Sequence, residues 1–130
     1  MDPFPERDWK VLRQLMPLAL DRYCQRTLED VERVLADRTA GAHACYRSIH
    51  RVLGERDVDL ASAFDDMRRS QAIFRVREIR RLGLFEPAEY ARFSEETRAS
   101  VERLEEAVRD GRAPRPRPSV DAEDEEPVAE

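Results

Sequence analysis

Residues 83–90 read Gly-Leu-Phe-Glu-Pro-Ala-Glu-Tyr, GLFEPAEY, and this stretch decides how the chain folds. Glycine enters the left-handed region without a Cβ penalty, so Gly83 is suited to end one helix. Pro87 fits the first position of the next helix, where a missing N–H costs nothing, and Glu89 stands where a capping-box acid belongs. Phe85 can staple onto Tyr90. With only two or three residues left between the two helices, the chain must turn back as a tight antiparallel hairpin. The other three glycines, Gly41, Gly54 and Gly111, also fall where helical apolar patterns stop, and read as C-terminal caps they count four helices.

Outward from that turn, apolar side chains recur at three-four spacing. The first helix carries Leu12, Leu15, Met16, Ala19, Leu20, Tyr23, Cys24, Leu28, Val31, Val34 and Leu35. Pro17 removes a donor and clashes one turn back, which predicts a break near Leu15 or Met16 after a short entry segment bearing Trp9. A second helix over about 39–53 presents Ala42, Cys45, Tyr46, Ile49, Val52 and Leu53, with Thr39 as its N-cap. The third starts at Asp57 or Asp59 and runs to Leu82. The fourth keeps Tyr90, Phe93, Thr97, Val101, Leu104 and Val108 in line, and Ser94 can cap a second segment within it. The expectation is an all-α, four-helix, mostly antiparallel bundle over residues 1–110. Residues 111–130, with prolines 114, 116, 118 and 127 and a closing acidic run, have the composition of a disordered tail. The GLFEPAEY stretch also resembles the helix-turn-helix of short bacterial C-terminal domains with a GLxxxEF pattern; the likeness spans fewer than about twenty residues and implies a helical hairpin, not a family.

Composition narrows the function classes. The 130 residues fit one domain, and 39% charged against 41% hydrophobic residues suits helices with one apolar stripe and a charged outer face. Arginine supplies every basic side chain except Lys10. Net charge is −5, divided as −2 over residues 1–110 and −3 over 111–130, which disfavours a general nucleic-acid binder. The start MDPFPERDWK lacks the basic and apolar segments of a signal peptide, and no apolar run reaches membrane-spanning length. A cytoplasmic location with no membrane partner is therefore expected, with Cys24 and Cys45 as free thiols on apolar stripes, read as small core residues.

Catalytic and ligand-binding patterns are thin. No two glycines lie closer than thirteen residues, too sparse for a phosphate-cradling loop. No serine stands in a Gly-x-Ser-x-Gly turn. His43 and His50 share a helix face about 10 Å apart with Arg47 between them, a poor metal pair and better read as surface histidines. Asp65 and Asp66 point about 100° apart, which does not make an acid–base couple. The expectation is a non-enzyme with no catalytic residue, metal or cofactor.

One segment remains, residues 68–81, RRSQAIFRVREIRR, with six arginines and one acid. On a continuous third helix its apolar face is wide, Arg68 and Arg75 border the core, and Glu78 lies within the apolar stripe, within reach of Arg75 and Arg81. Arg69, Arg77 and Arg80 gather around Ile73 as a basic patch with no aromatic for base stacking. Three guanidinium groups around an apolar contact suit an acidic protein segment. The sequence thus points to a small helical protein–protein interaction module, with self-association as a homodimer through the third or fourth helix as one form of it. The alternative is a nucleic-acid-associated regulatory protein using the arginine-rich third helix. A ten-residue proline-rich spacer reaches about 30 Å, so the acidic tail could visit and mask the patch.

Overall fold

The computed structural model describes residues 4–66 and 68–111. Its helices are α1 (Glu6–Ala36), α2 (Ala42–Phe64), a 3-10 turn (Arg69–Gln71), α3 (Ala72–Arg81), α4 (Pro87–Tyr90) and α5 (Glu95–Arg109). Among the described residues the chain is all-helical, with no strand. The acidic tail expected from residue 111 lies, from 112 onward, outside the described residues.

The boundaries differ from expectation at three places, each for a local reason. Pro17 sits inside α1 without breaking it. The bond it removes would run to the carbonyl of Arg13, and both residues are exposed, so water can serve that carbonyl. On the other side Leu15 and Ala19, 1% and 0% exposed, anchor this part of the helix in the core. Gly54 lies in mid-helix rather than at an end, and Gly41 precedes α2 as its N-cap in place of Thr39. Thr39 instead bonds to Asp37 through its backbone N–H and hydroxyl, at 3.0 and 2.7 Å.

The third difference matters most. The expected helix from 57 or 59 to 82 is cut in two after Phe64, where Asp66 takes a left-handed φ of 57°. Arg75, 3% exposed, reaches back from α3 and donates Nη1 to the Ser62 carbonyl and Nε to that of Asp66. One arginine thereby serves the carbonyls that the end of α2 leaves open. Burial lowers its pKa, with Asp66 and Asp65 opposing that shift.

The Gly83–Tyr90 turn forms as its residues predict. Gly83 has φ 71°, its N–H bonds Arg80 O at 2.9 Å, and Leu84 N–H bonds Ile79 O at 3.1 Å, which together close a Schellman motif. Glu86 and Glu89 complete a capping box, Pro87 opens α4, and Phe85 stacks on Tyr90 at 6.4 Å between centroids. Two arginines of α1 clamp this turn: Arg26 donates to Leu82 O and Gly83 O, both at 2.7 Å, and Arg22 to Leu84 O at 2.8 Å. Arg22 also grips Glu89 with both terminal nitrogens, at 2.6 and 2.8 Å. That hydrogen-bonded guanidinium, together with the Glu86 backbone N–H, holds the Glu89 carboxyl down at about 2 against burial.

The core is contiguous through Leu12, Leu15, Ala19 and Tyr23 of α1, Ala63 of α2, Ala72, Val76 and Ile79 of α3, then Leu84, Phe93 and Val101. Asp8, fully buried, accepts bonds from Ser94 N–H (2.7 Å), Ser94 Oγ (2.7 Å) and Thr97 Oγ1 (2.6 Å), fastening α1 to the positive end of α5. Ser94 in turn caps Thr97, realising the second segment foreseen at that serine.

Candidate interaction surface

The break after Phe64 redistributes the arginine segment. Arg69 belongs to the 3-10 turn, where it donates to Phe4 O at 2.9 Å and pairs with Glu6 at 2.9 Å. Ile73 is half-buried against the core. Arg77 is only 5% exposed and bonds its neighbour Glu78, itself 3% exposed; Glu78 also takes Arg81 at 2.8 Å. Arg80 pairs with Glu105 at 2.7 Å and lies 4.3 Å from the Tyr90 ring centroid. Arg80 therefore lies on the side of α3 toward α5, which packs against α3. The four residues read as one basic patch are thus divided between two elements and committed to partners inside the molecule. Arg81 does meet Glu78 as the sequence suggested; Arg75 goes to the end of α2 instead.

The surplus apolar surface lies elsewhere, on the α1–α2 hairpin. These helices run antiparallel, with Cys45 Sγ beside Val34 O (3.7 Å) and Tyr23 Oη donating to Arg56 O (3.0 Å), while Arg56 pairs with Asp30 at 2.9 Å. Burial pushes the Tyr23 phenol up to about 12. The remaining elements lie on one side of the hairpin. On α1 that side is marked by Arg22 and Arg26, and on α2 by Asp59 and Ser62, which accept from Arg81 and Arg75. Roughly half a turn around each helix from those residues come Leu28 and Leu35 on α1, and Tyr46 and Leu53 on α2.

These side chains are strongly exposed: Leu28 57%, Leu35 41%, Tyr46 70% and Leu53 41%. Leu20, at 38%, and exposed Cys24 continue the row on α1, and half-buried Val31 and Ile49 line the seam between the helices. Cys24 is therefore a surface thiol, not the core residue its stripe suggested, while Cys45 is buried as expected. On the opposite side, beyond the reach of α3, the hairpin presents Arg33, Arg51 and Glu55, all exposed. Leu18 and Val58, also exposed, stand away from the leucine and tyrosine row, so apolar exposure is concentrated on the side away from α3 without being confined to it. The spacing 24, 28, 31, 35 was a second stripe within α1, separable from the 12, 15, 19, 23 stripe that fills the core.

Cavities offer less. An open notch of about 400 Å³ beneath the α1–α2 turn is lined by Asp30, Arg33, Val34, Cys45 and Arg51 among others. A second, near the end of α5, meets Arg77, Arg81, Glu105, Val108 and Arg109. Arg77 Nε has no acceptor among the described residues, but Glu78, Asp59 and Glu105 already answer the arginines nearby. His43 and His50 are exposed, and among the described residues no three His, Cys, Asp or Glu side chains are grouped to hold a metal ion. No described helix is long and apolar enough to cross a membrane. Compared with protein-family models, curated proteins and solved structures, the chain gives no significant match.

Proposed function

We propose that this chain is a non-enzymatic helical interaction module, a mostly antiparallel bundle that binds protein through the apolar side of its α1–α2 hairpin. The observation that carries this reading is the segregation on the hairpin. Leu20, Leu28, Leu35, Tyr46 and Leu53 gather on the side away from α3, with exposed Asp21 and Asp57 near the far end of that row and exposed Leu18 and Val58 standing apart from it. Scattered surface leucines are ordinary; a row on two adjacent helices is the arrangement that a partner helix or hairpin covers. Exposed Tyr46 also matches the aromatic enrichment of interface centres.

The arginines favour a protein partner over the nucleic-acid alternative. Arg69, Arg77, Arg80 and Arg81 each pair with an acid of the fold, which leaves little unanswered charge for phosphate. The test is affinity capture from native lysate using the wild-type chain and a Leu28→Glu, Leu53→Glu double variant. Protein held by the wild type and lost by the double variant supports the module, whether that protein is another chain or the same one. Identical capture by both, or salt-sensitive retention of DNA or RNA alone, would overturn it.

A further inference from the structure

We propose that the occupant of the hairpin's apolar side is a second copy of this chain, docked about a two-fold axis parallel to α1 and α2. The proposal rests on the interaction-module reading and names its partner.

Leu20, Leu28, Leu35, Tyr46 and Leu53 together expose roughly 500 Å² of largely apolar surface, at the upper end of what a monomer usually carries in one patch. With the half-buried Val31 and Ile49 and the charged borders, the side approaches the roughly 800 Å² per partner of a stable pair. Two flat, two-helix surfaces pressed together form a four-helix layer. The spacings 24, 28, 31, 35 on α1 and 46, 49, 53 on α2 supply the three-four repeat that such packing uses.

Charge selects the axis. Exposed Glu32 on α1 and exposed His43 and His50 on α2 border the apolar side, and exposed Arg47 lies about 100° round from Tyr46, on the outer edge of α2. The Val34–Cys45 and Tyr23–Arg56 contacts fix the hairpin register and place Glu32 level with Arg47. An axis parallel to the helices lays α1 of one copy over α2 of the other without changing height, so Glu32 meets the other copy's Arg47 border, twice by symmetry. An axis perpendicular to the helices would stack α1 on α1 and α2 on α2, setting like borders against each other. Asp21 falls level with Asp57 in the favoured arrangement, so the complementarity belongs to the half of the hairpin nearest its turn. A surface that carries both members of its own charge pairing is suited to itself.

The experiment is sedimentation or light scattering of the full chain from low micromolar to several hundred micromolar at low salt. The expected result is twice the 15.2 kDa chain mass at the upper concentrations. Leu28→Glu with Leu53→Glu should give one chain mass with an unchanged helical circular-dichroism spectrum. Glu32→Arg and Arg47→Glu should each weaken the pair about three- to tenfold, and combining them should restore it, with these effects fading in high salt. A wild-type chain that stays at one chain mass throughout overturns the proposal. If Leu28→Glu with Leu53→Glu then still abolishes capture of a different protein, the module reading survives without it. A dimer that the leucine substitutions leave intact also overturns the proposal, and failure of the double charge reversal to restore association overturns the axis.

Discussion

The two ends of α1 live in different surroundings. Around Asp8 and Arg22 the helix meets α5, the Gly83–Tyr90 turn and α2, and its polar side chains reach residues more than sixty positions away. Around Asp30 and Asp37 it has only α2 beside it, and most bonds are short-range: Arg33 to Asp30, Arg38 to Leu35 O, Thr39 to Asp37. The cause is length. At 1.5 Å per residue the 31 residues of α1 extend about 46 Å, whereas the ten of α3 cover about 15 Å and the fifteen of α5 about 22 Å. One helix thus supplies a core at its start and an outward surface toward its end, with similar apolar content in both.

Removing Asp8 tests that contrast most severely. Asp8→Ala strands the Ser94 N–H and two hydroxyls in a dry site and should cost about 3–5 kcal/mol. Chemical denaturation measures it, and a loss below about 1 kcal/mol would mean that this end is no more tightly specified than the other.

Acid probes the same end through Glu89. Its folded pKa, about 2, lies below the ordinary 4.5, so the Arg22 clamp contributes stability above pH 4.5 that disappears as pH falls from 4.5 toward 2. The loss should be on the order of 2 kcal/mol, and Glu89→Gln should remove that part of the pH dependence while lowering stability at neutral pH by a similar amount. An unchanged acid limb in Glu89→Gln would show that the clamp is not what acid breaks.

On the hairpin the expected effects shrink or change sign. Gly54 lies within α2, and a Cβ there would meet nothing within 4 Å. Gly54→Ala should therefore stabilise by about 0.5–1 kcal/mol, read as a higher denaturation midpoint. Leu28→Glu, in solution dilute enough to keep chains apart, should alter stability by less than about 0.5 kcal/mol. A drop of several kcal/mol would show that Leu28 packs inside the fold and would abolish the contrast.

The sequence made the helical class and the Gly83–Tyr90 turn legible because their determinants are local: a left-handed glycine, a first-turn proline, a capping acid and two aromatic rings within eight residues. It misplaced what depends on distant partners. Pro17 reads as a break until Leu15 and Ala19 are seen buried, and Gly54 reads as a cap although α2 continues past it to Phe64. Nothing within residues 57–82 announces that Arg75 will fold back onto Ser62, so the segment looked like one helix and its arginines like one patch. The exposed face was visible as a doubled stripe on α1, but choosing which stripe faces inward requires knowing that α3 and α5 are short.

The use of arginine in place of lysine bears on how the molecule opens. Arg26 spans two successive carbonyls, Leu82 O and Gly83 O, and Arg22 spans a carbonyl and a carboxylate, geometries open to a planar fork and closed to a point ammonium. Helix ends ordinarily fray by themselves on fast timescales. Here the end of α3 is tied to the middle of α1, so its loosening is not a local event; the two segments open together, as one cooperative unit, or stay shut.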